Sequence, residues 1–219
     1  MLVFGTRPEA IKLAPLIQKL KADVGAFDVS VCVTAQHRQM LDQVLKVFEI
    51  SPDIDLDIMK SGQSLFDVTS NVLLGMKRVL AVNKPDTILV HGDTTTTLAA
   101  AMAGFYAGIH VGHVEAGLRT YDLAAPFPEE FNRQVTSRVA KWHFAPTELS
   151  RENLIAERVE NQKIIVTGNT VIDALHWVLA RIKSDPHRSN GLNEFIDQKL
   201  SFDWKTDRFV LVTGHRREN

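Results

Sequence analysis

Residues 85–100 read Pro85-Asp-Thr-Ile-Leu-Val-His91-Gly92-Asp93-Thr-Thr-Thr-Thr97-Leu-Ala-Ala, and residues 109–119 answer them with Ile109-His-Val-Gly-His-Val-Glu115-Ala-Gly-Leu-Arg119. The run 87–90 is apolar and rich in β-branched side chains, and Gly92 stands where the chain must turn sharply, so it reads as a buried strand. The four threonines then offer hydroxyl caps to a helix over 98–106, whose Ala, Leu and Met lose little on becoming helical. Residues 109–114 repeat the strand pattern and end in Glu115 and Gly117. Each unit sets one carboxylate, Asp93 or Glu115, at the carboxyl end of a parallel strand, where ligands of open α/β sheets bind. An Asp after a strand can equally be a helix cap. A Glu there has no capping role that Ser or Asp would not fill better, so the pair together points to a site.

The same grammar runs outward in both directions. Residues 2–4 are a very short apolar run closed by Gly5, and Pro8 suits the first turn of a helix expected to reach about Lys21. Arg7 then sits at the strand's carboxyl end. A first strand this short is unusual for the centre of a parallel sheet, which suggests residues missing in front. A second strand is expected over 28–34 and a helix beyond Gln36, His37, Arg38 and Gln39; residues 52–58 alternate with period two, as a half-buried strand nearer an edge does. A loop over 61–64, including Gln63, precedes a long helix to about Asn83. Residues 118–127 read as a loop, and Pro128-Glu129-Glu130 opens a helix to about Ala140 with acids in its first turn. Strands follow at 142–145 and 163–167, and a helix over 170–183.

Seven such units make an α/β fold with a doubly wound, Rossmann-like parallel sheet over residues 1–183. Residues 184–207 read as a linker, because 184–191 carries Asp-Pro-His-Arg-Ser-Asn-Gly. Residues 208–219 read as one more buried strand, the opening of a second, similar domain that the chain does not complete.

Composition narrows the function classes. A formal net charge of -1 gives no whole-chain attraction to nucleic acid or acidic membranes, so any anion must be caught by a few placed residues. The single cysteine, Cys32, lies in an apolar strand pattern; it reads as a core residue, with no intrachain disulfide and a cytoplasmic setting expected. No segment reads as a signal peptide or membrane span. Neither Gly-x-Gly-x-x-Gly after the first strand nor a Walker loop is present, against a dinucleotide or ATP enzyme. His110 and His113, three apart on a strand, face opposite sides and cannot jointly hold a metal.

Seven ordered motifs stand out: Phe-Gly-Thr-Arg-Pro-Glu-Ala-Ile-Lys at 4–12, Thr-Ala-Gln-His-Arg at 34–38, Val-His-Gly-Asp-Thr-Thr-Thr-Thr at 90–97, Gly-His-Val-Glu-Ala-Gly-Leu-Arg-Thr at 112–120, Pro-Glu-Glu-Phe-Asn-Arg at 128–133, Thr-Gly-Asn-Thr-Val-Ile-Asp-Ala at 167–174 and Thr-Gly-His-Arg-Arg-Glu-Asn at 213–219. Together they resemble the bacterial non-hydrolysing UDP-N-acetylglucosamine 2-epimerases. The resemblance implies the N-terminal half of a two-domain GT-B architecture, truncated before the second domain, with the active site in the interdomain cleft. It implies interconversion of UDP-N-acetylglucosamine and UDP-N-acetylmannosamine by anti elimination of UDP to a 2-acetamidoglucal and re-addition, with no metal or nicotinamide cofactor and a homodimeric full-length enzyme. Carried over by motif, Asp93, Glu115, Glu129 and His215 are the catalytic residues, and Arg7 and Lys12 approach the UDP part of the substrate. Gln36, Gln39 and Gln63 fall in stretches that contact an activating second UDP-N-acetylglucosamine in many members.

Taken without the resemblance, Glu129 reads as a first-turn dipole partner, Lys12 as a solvated helix face and His215 as the turn after a strand. Two other functions share much of this pattern. One is a non-catalytic sugar-nucleotide-binding module or half-enzyme; the other is a GT-B glycosyltransferase, which would not need carboxylates and a histidine arranged for proton transfer at C2. Without the family's Asp-Ser-Gly-Gly stretch and most of the uridine pocket, these 219 residues are expected to fold but not to epimerise alone.

Overall fold

The computed structural model describes residues 1–35, 38–58, 60 and 62–212, without the side chains of residues 38 and 39. Its sheet has seven parallel strands: β1 (Leu2–Phe4), β2 (Val31–Val33), β3 (Ile54–Asp55), β4 (Thr87–His91), β5 (His110–Val114), β6 (Trp142–Ala145) and β7 (Ile164–Val166). Their spatial order is β3-β2-β1-β4-β5-β6-β7. The winding reverses between β1 and β4, which is the switch point of the fold. Strands β4 and β5 are adjacent at the centre, paired in register from Thr87 with His110 to His91 with Val114. β3, expected near an edge from its alternation, is one of the two edge strands, with β7 at the other end.

The connecting helices are α1 (Arg7–Ala22), α2 (Arg38–Val47), α3 (Leu65–Asn83), α4 (Thr95–Tyr106), α5 (Glu129–Val139) and α6 (Glu148–Ala156). Right-handed crossovers around a reversing strand order put α1 and α2 on one face and α3, α4 and α5 on the other, and α4 packs between α3 and α5. The alanines that make α4 a good helix also make it thin. Ala99, Ala100 and Ala101 are fully buried, and a Cβ at Gly104 would come within 2.9 Å of Ile88. The core gathers Val3, Cys32, Ile88, Val90 and Val111 from the sheet with Val72 and Met76 from α3. Cys32 is buried as read, and burial pushes its thiol up to about 12. Among the described residues no helix is long and apolar enough to cross a membrane.

The chain divides into two compact units, 1–174 and 175–219. Helix α7 (Thr170–Ser184) passes from the first into the second, which also contains α8 (Pro186–Lys199). The run read as a linker, 184–207, is thus mostly helical. Asp185 caps α8 by accepting from the amide of Arg188 at 3.2 Å, and Pro186 occupies its first turn; a helix start of this type uses the residues that also mark turns. Residues 208–212 are exposed and form no strand, because a buried-strand sequence needs a ladder partner and finds none among the described residues.

Candidate active site

The carboxyl ends of β1, β4 and β5 bring Arg7, Asp93 and Glu115 to one rim of the sheet. At β4 the chain turns through Gly92, whose φ of +70° favours a residue without a Cβ. Its amide donates to Val114 O at 2.9 Å, and its carbonyl accepts from the buried ring Nε2 of His113 at 2.7 Å. Thr94, not Asp93, caps α4, accepting from the Thr97 amide at 3.1 Å. Asp93 is therefore released from the capping role that its position allowed. Asn132 holds its carbonyl at 2.8 Å, and Arg133 Nη2 lies 3.1 Å from Oδ2.

Burial pushes Asp93 up to about 6; Glu115 and Glu129 add to the rise, and Arg133 and Lys12 oppose it. An acid in this range can both take and give a proton near neutral pH.

Glu115 stands in a left-handed backbone conformation, with φ of +64°, which costs a non-glycine residue about 1 kcal/mol or more. No helix begins there. Its Oε2 is ion-paired with Lys12 Nζ and lies 3.8 Å from the ring Nε2 of His91, while its Oε1 reaches over Gly92. The turn beyond is fixed by Gly117, where a Cβ would come within 2.2 Å of Ser150 O. It is fixed again by Arg119, whose guanidinium Nε donates to Glu157 at 2.6 Å.

Lys12 thus meets a carboxylate. Arg7, in contrast, is exposed with no ion pair among the described residues, as a group waiting for an anion would be. Glu129 lies in the first turn of α5, close enough to Asp93 to raise it. Gln63 accepts from the Lys60 amide at 2.8 Å, while its buried Nε2 has no partner among the described residues. His215, Gln36 and the side chain of Gln39 lie outside the described residues.

Glu9, Asn132, Arg133 and His113 belong to this constellation, and sequence reading gave none of them a role. Arg133 and Asn132 had a signal: with Glu129 they share one face of α5 at i, i+3 and i+4. His113 had only its burial, which pushes it down to about 3 and keeps it neutral. No group of three or more His, Cys, Asp or Glu among the described residues is arranged to hold a metal.

The switch-point rim of this doubly wound α/β sheet thus gathers three carboxylates, Asp93 among them brought up to about 6, and an arginine with no ion pair among the described residues. The sequence profile of a family described as UDP-N-acetylglucosamine 2-epimerase matches residues 18–219, and the chain belongs to that family. Its sheet is the N-terminal half of the GT-B architecture. A Yersinia pestis protein named UDP-N-acetylglucosamine 2-epimerase is 59% identical over 217 residues, 99% of this chain and 56% of that protein. The crystal structure of UDP-GlcNAc 2-epimerase from Neisseria meningitidis bound to UDP-GlcNAc has a TM-score of 0.86 at 52% identity, covering 91% of this chain and 54% of that one. The Methanocaldococcus jannaschii enzyme in complex with UDP-GlcNAc and UDP has a TM-score of 0.80 at 35% identity, over 88% of this chain and 52% of that one. The chain spans about half the length of the curated relatives it matches.

Proposed function

We propose that these residues are the carboxylate-bearing half of a cytoplasmic UDP-N-acetylglucosamine 2-epimerase. The observation that carries this is Asp93, released from capping and brought to about 6 beside Glu115 and Glu129. The C2 proton of the sugar is not acidic. It can leave only as the C1–oxygen bond to UDP breaks, so acids and bases on both faces of the sugar must act while cations hold the departing diphosphate. Asp93, Glu115 and Glu129 supply the proton-transfer groups. Arg7 meets the diphosphate, while Lys12 orients Glu115 and approaches the same phosphates. Protonation of the glucal at C2 from the opposite face, followed by re-addition of UDP, gives UDP-N-acetylmannosamine. His215 would complete the set, with residues 1–183 as the first domain and 208–219 opening the second. Gln36, Gln39 and Gln63 would face an activating second sugar nucleotide; the buried Nε2 of Gln63, without a partner among the described residues, supports the last of these.

Turnover belongs to the full-length protein, since clamping UDP and excluding water need groups from both sides of a cleft. A homodimer fits the exposed Leu74, Val82, Phe105 and Tyr106 on α3 and α4; the sedimentation behaviour of the full-length protein checks it. The function itself is tested by incubating the full-length protein with UDP-N-acetylglucosamine in D2O. Deuterium at C2 of both epimers is the expected result, and epimerisation without deuterium, or none at all, would overturn it.

A further inference from the structure

Two acids of the chain are fully buried among the described residues, Glu9 and Glu130. Glu130 has Arg133 beside it at 3.4 Å. Glu9 has no cation among the described residues, and hydrogen bonds alone satisfy it. Its Oε2 accepts from the amides of Gly5 at 2.9 Å and Thr6 at 2.7 Å. Its Oε1 accepts from the hydroxyl of Thr94 at 2.6 Å and lies 3.1 Å from that of Thr97, which also sits 2.5 Å from His91 O.

The first half of this pattern is a capping box, in which the third residue of a helix reaches back to its own cap. The second half is not. Oε1 leaves α1 and crosses the switch point to Thr94, the residue that caps α4. One carboxylate thereby bridges the amino ends of both helices that flank the switch point, where their positive ends stabilise an anion. In many nucleotide-binding α/β folds a ligand phosphate takes the amino end of the first helix. Here the chain's own carboxylate occupies it.

Resting on the function proposed above, we propose that Glu9 is a positioning residue of this site. It locks the Arg7 turn to the Asp93 turn and fills the amino end of α1 with an internal anion, so that Arg7, rather than the helix end, meets the diphosphate of a sugar nucleotide.

The test begins with amide NMR of the 219-residue chain. Glu9→Ala is expected to shift the amides of both turns, 5–7 and 92–97, and Glu9→Gln, which keeps an acceptor oxygen, to shift them much less. Shifts confined to 4–12 would reduce Glu9 to an ordinary cap and overturn the proposal. Should Glu9→Ala fail to fold, Thr94→Ala leaves the capping box in place and must still shift Gly5 and Thr6; unmoved amides there would be decisive against the tie. In the full-length protein, Thr94→Ser is expected to hold kcat/KM within about threefold and Thr94→Ala to lower it about tenfold or more, since small misplacements are costly. Equal kcat/KM for the two would also overturn it. The NMR shifts do not depend on turnover, so loss of the epimerase reading alone would leave Glu9's tie between the turns measurable.

Discussion

The turns after β4 and β6 obey the same local rules and end in different chemistry. Each strand passes into a helix through a threonine cap, with Thr94 accepting from Thr97 and Thr147 from Ser150, both at 3.1 Å. At β6 the residue after the cap, Glu148, points into solvent and pairs with Arg151 across one helical turn. At β4 the cap is relayed to Glu9, the preceding Asp93 is held by Asn132 and Arg133, and Gly92 is held by His113. A site differs from a cap, then, in how many buried polar groups hold the turn from other elements.

The largest expected contrast is catalytic. In the full-length protein, Asp93→Asn, Glu115→Gln and Glu129→Gln should each lower turnover by about a hundredfold or more, the scale of a positioned acid or base, while Glu148→Gln changes nothing. Turnover retained in the three carboxylate variants, measured as UDP-N-acetylmannosamine formed, would erase the distinction between the rims.

Stability should respond to pH in two opposed ways. Burial holds His91 and His113 down at about 3 and His143 at about 4, against an ordinary 6.5. As pH falls through 6.5 the unfolded chain therefore takes up three protons that the native chain refuses. Asp93 works the other way, since between about 6 and 3.8 only the native state keeps its proton. The net of about two protons makes stability fall by about 3 kcal/mol per pH unit near pH 5. Melting temperatures that stay level from pH 7 to pH 5 would contradict this.

Asp93→Asn should raise stability above about pH 6, by about 1–2 kcal/mol once solvent at this partly exposed side chain is allowed for. The gain should vanish below about pH 4, where the native and unfolded chains both carry the proton; a gain independent of pH would count against the raised acid. The smallest effect is expected at the plain turn. Thr147→Ala should cost about 1 kcal/mol of stability, seen in urea denaturation, with turnover of the full-length protein untouched.

How much of this was legible follows from the range of each interaction. Strand-to-helix units, several of them closed by glycine, gave the parallel sheet and the rim holding Arg7, Asp93 and Glu115, because strand, turn and helix start are written within a few residues. The bond from Glu9 to Thr94 spans 85 residues and leaves no local pattern, so Glu9 looked like any first-turn acid. Helix α8 was hidden because Asp185 and Pro186 serve turns and helix starts alike. Residues 208–212 carry a strand pattern but no strand, since a strand is a pairing, and a pairing needs a second chain segment.

On the proposed function, ligand chemistry belongs to the rim of β1, β4 and β5 and not to that of β6 and β7. Titrating UDP-N-acetylglucosamine at millimolar concentration into the isotope-labelled 219-residue chain tests it by amide NMR. Weak binding is expected, with shifts gathered at residues 5–7, 92–94 and 115–117. Shifts strongest at 146–150 or 167–170, or none at the carboxylate turns, would contradict it.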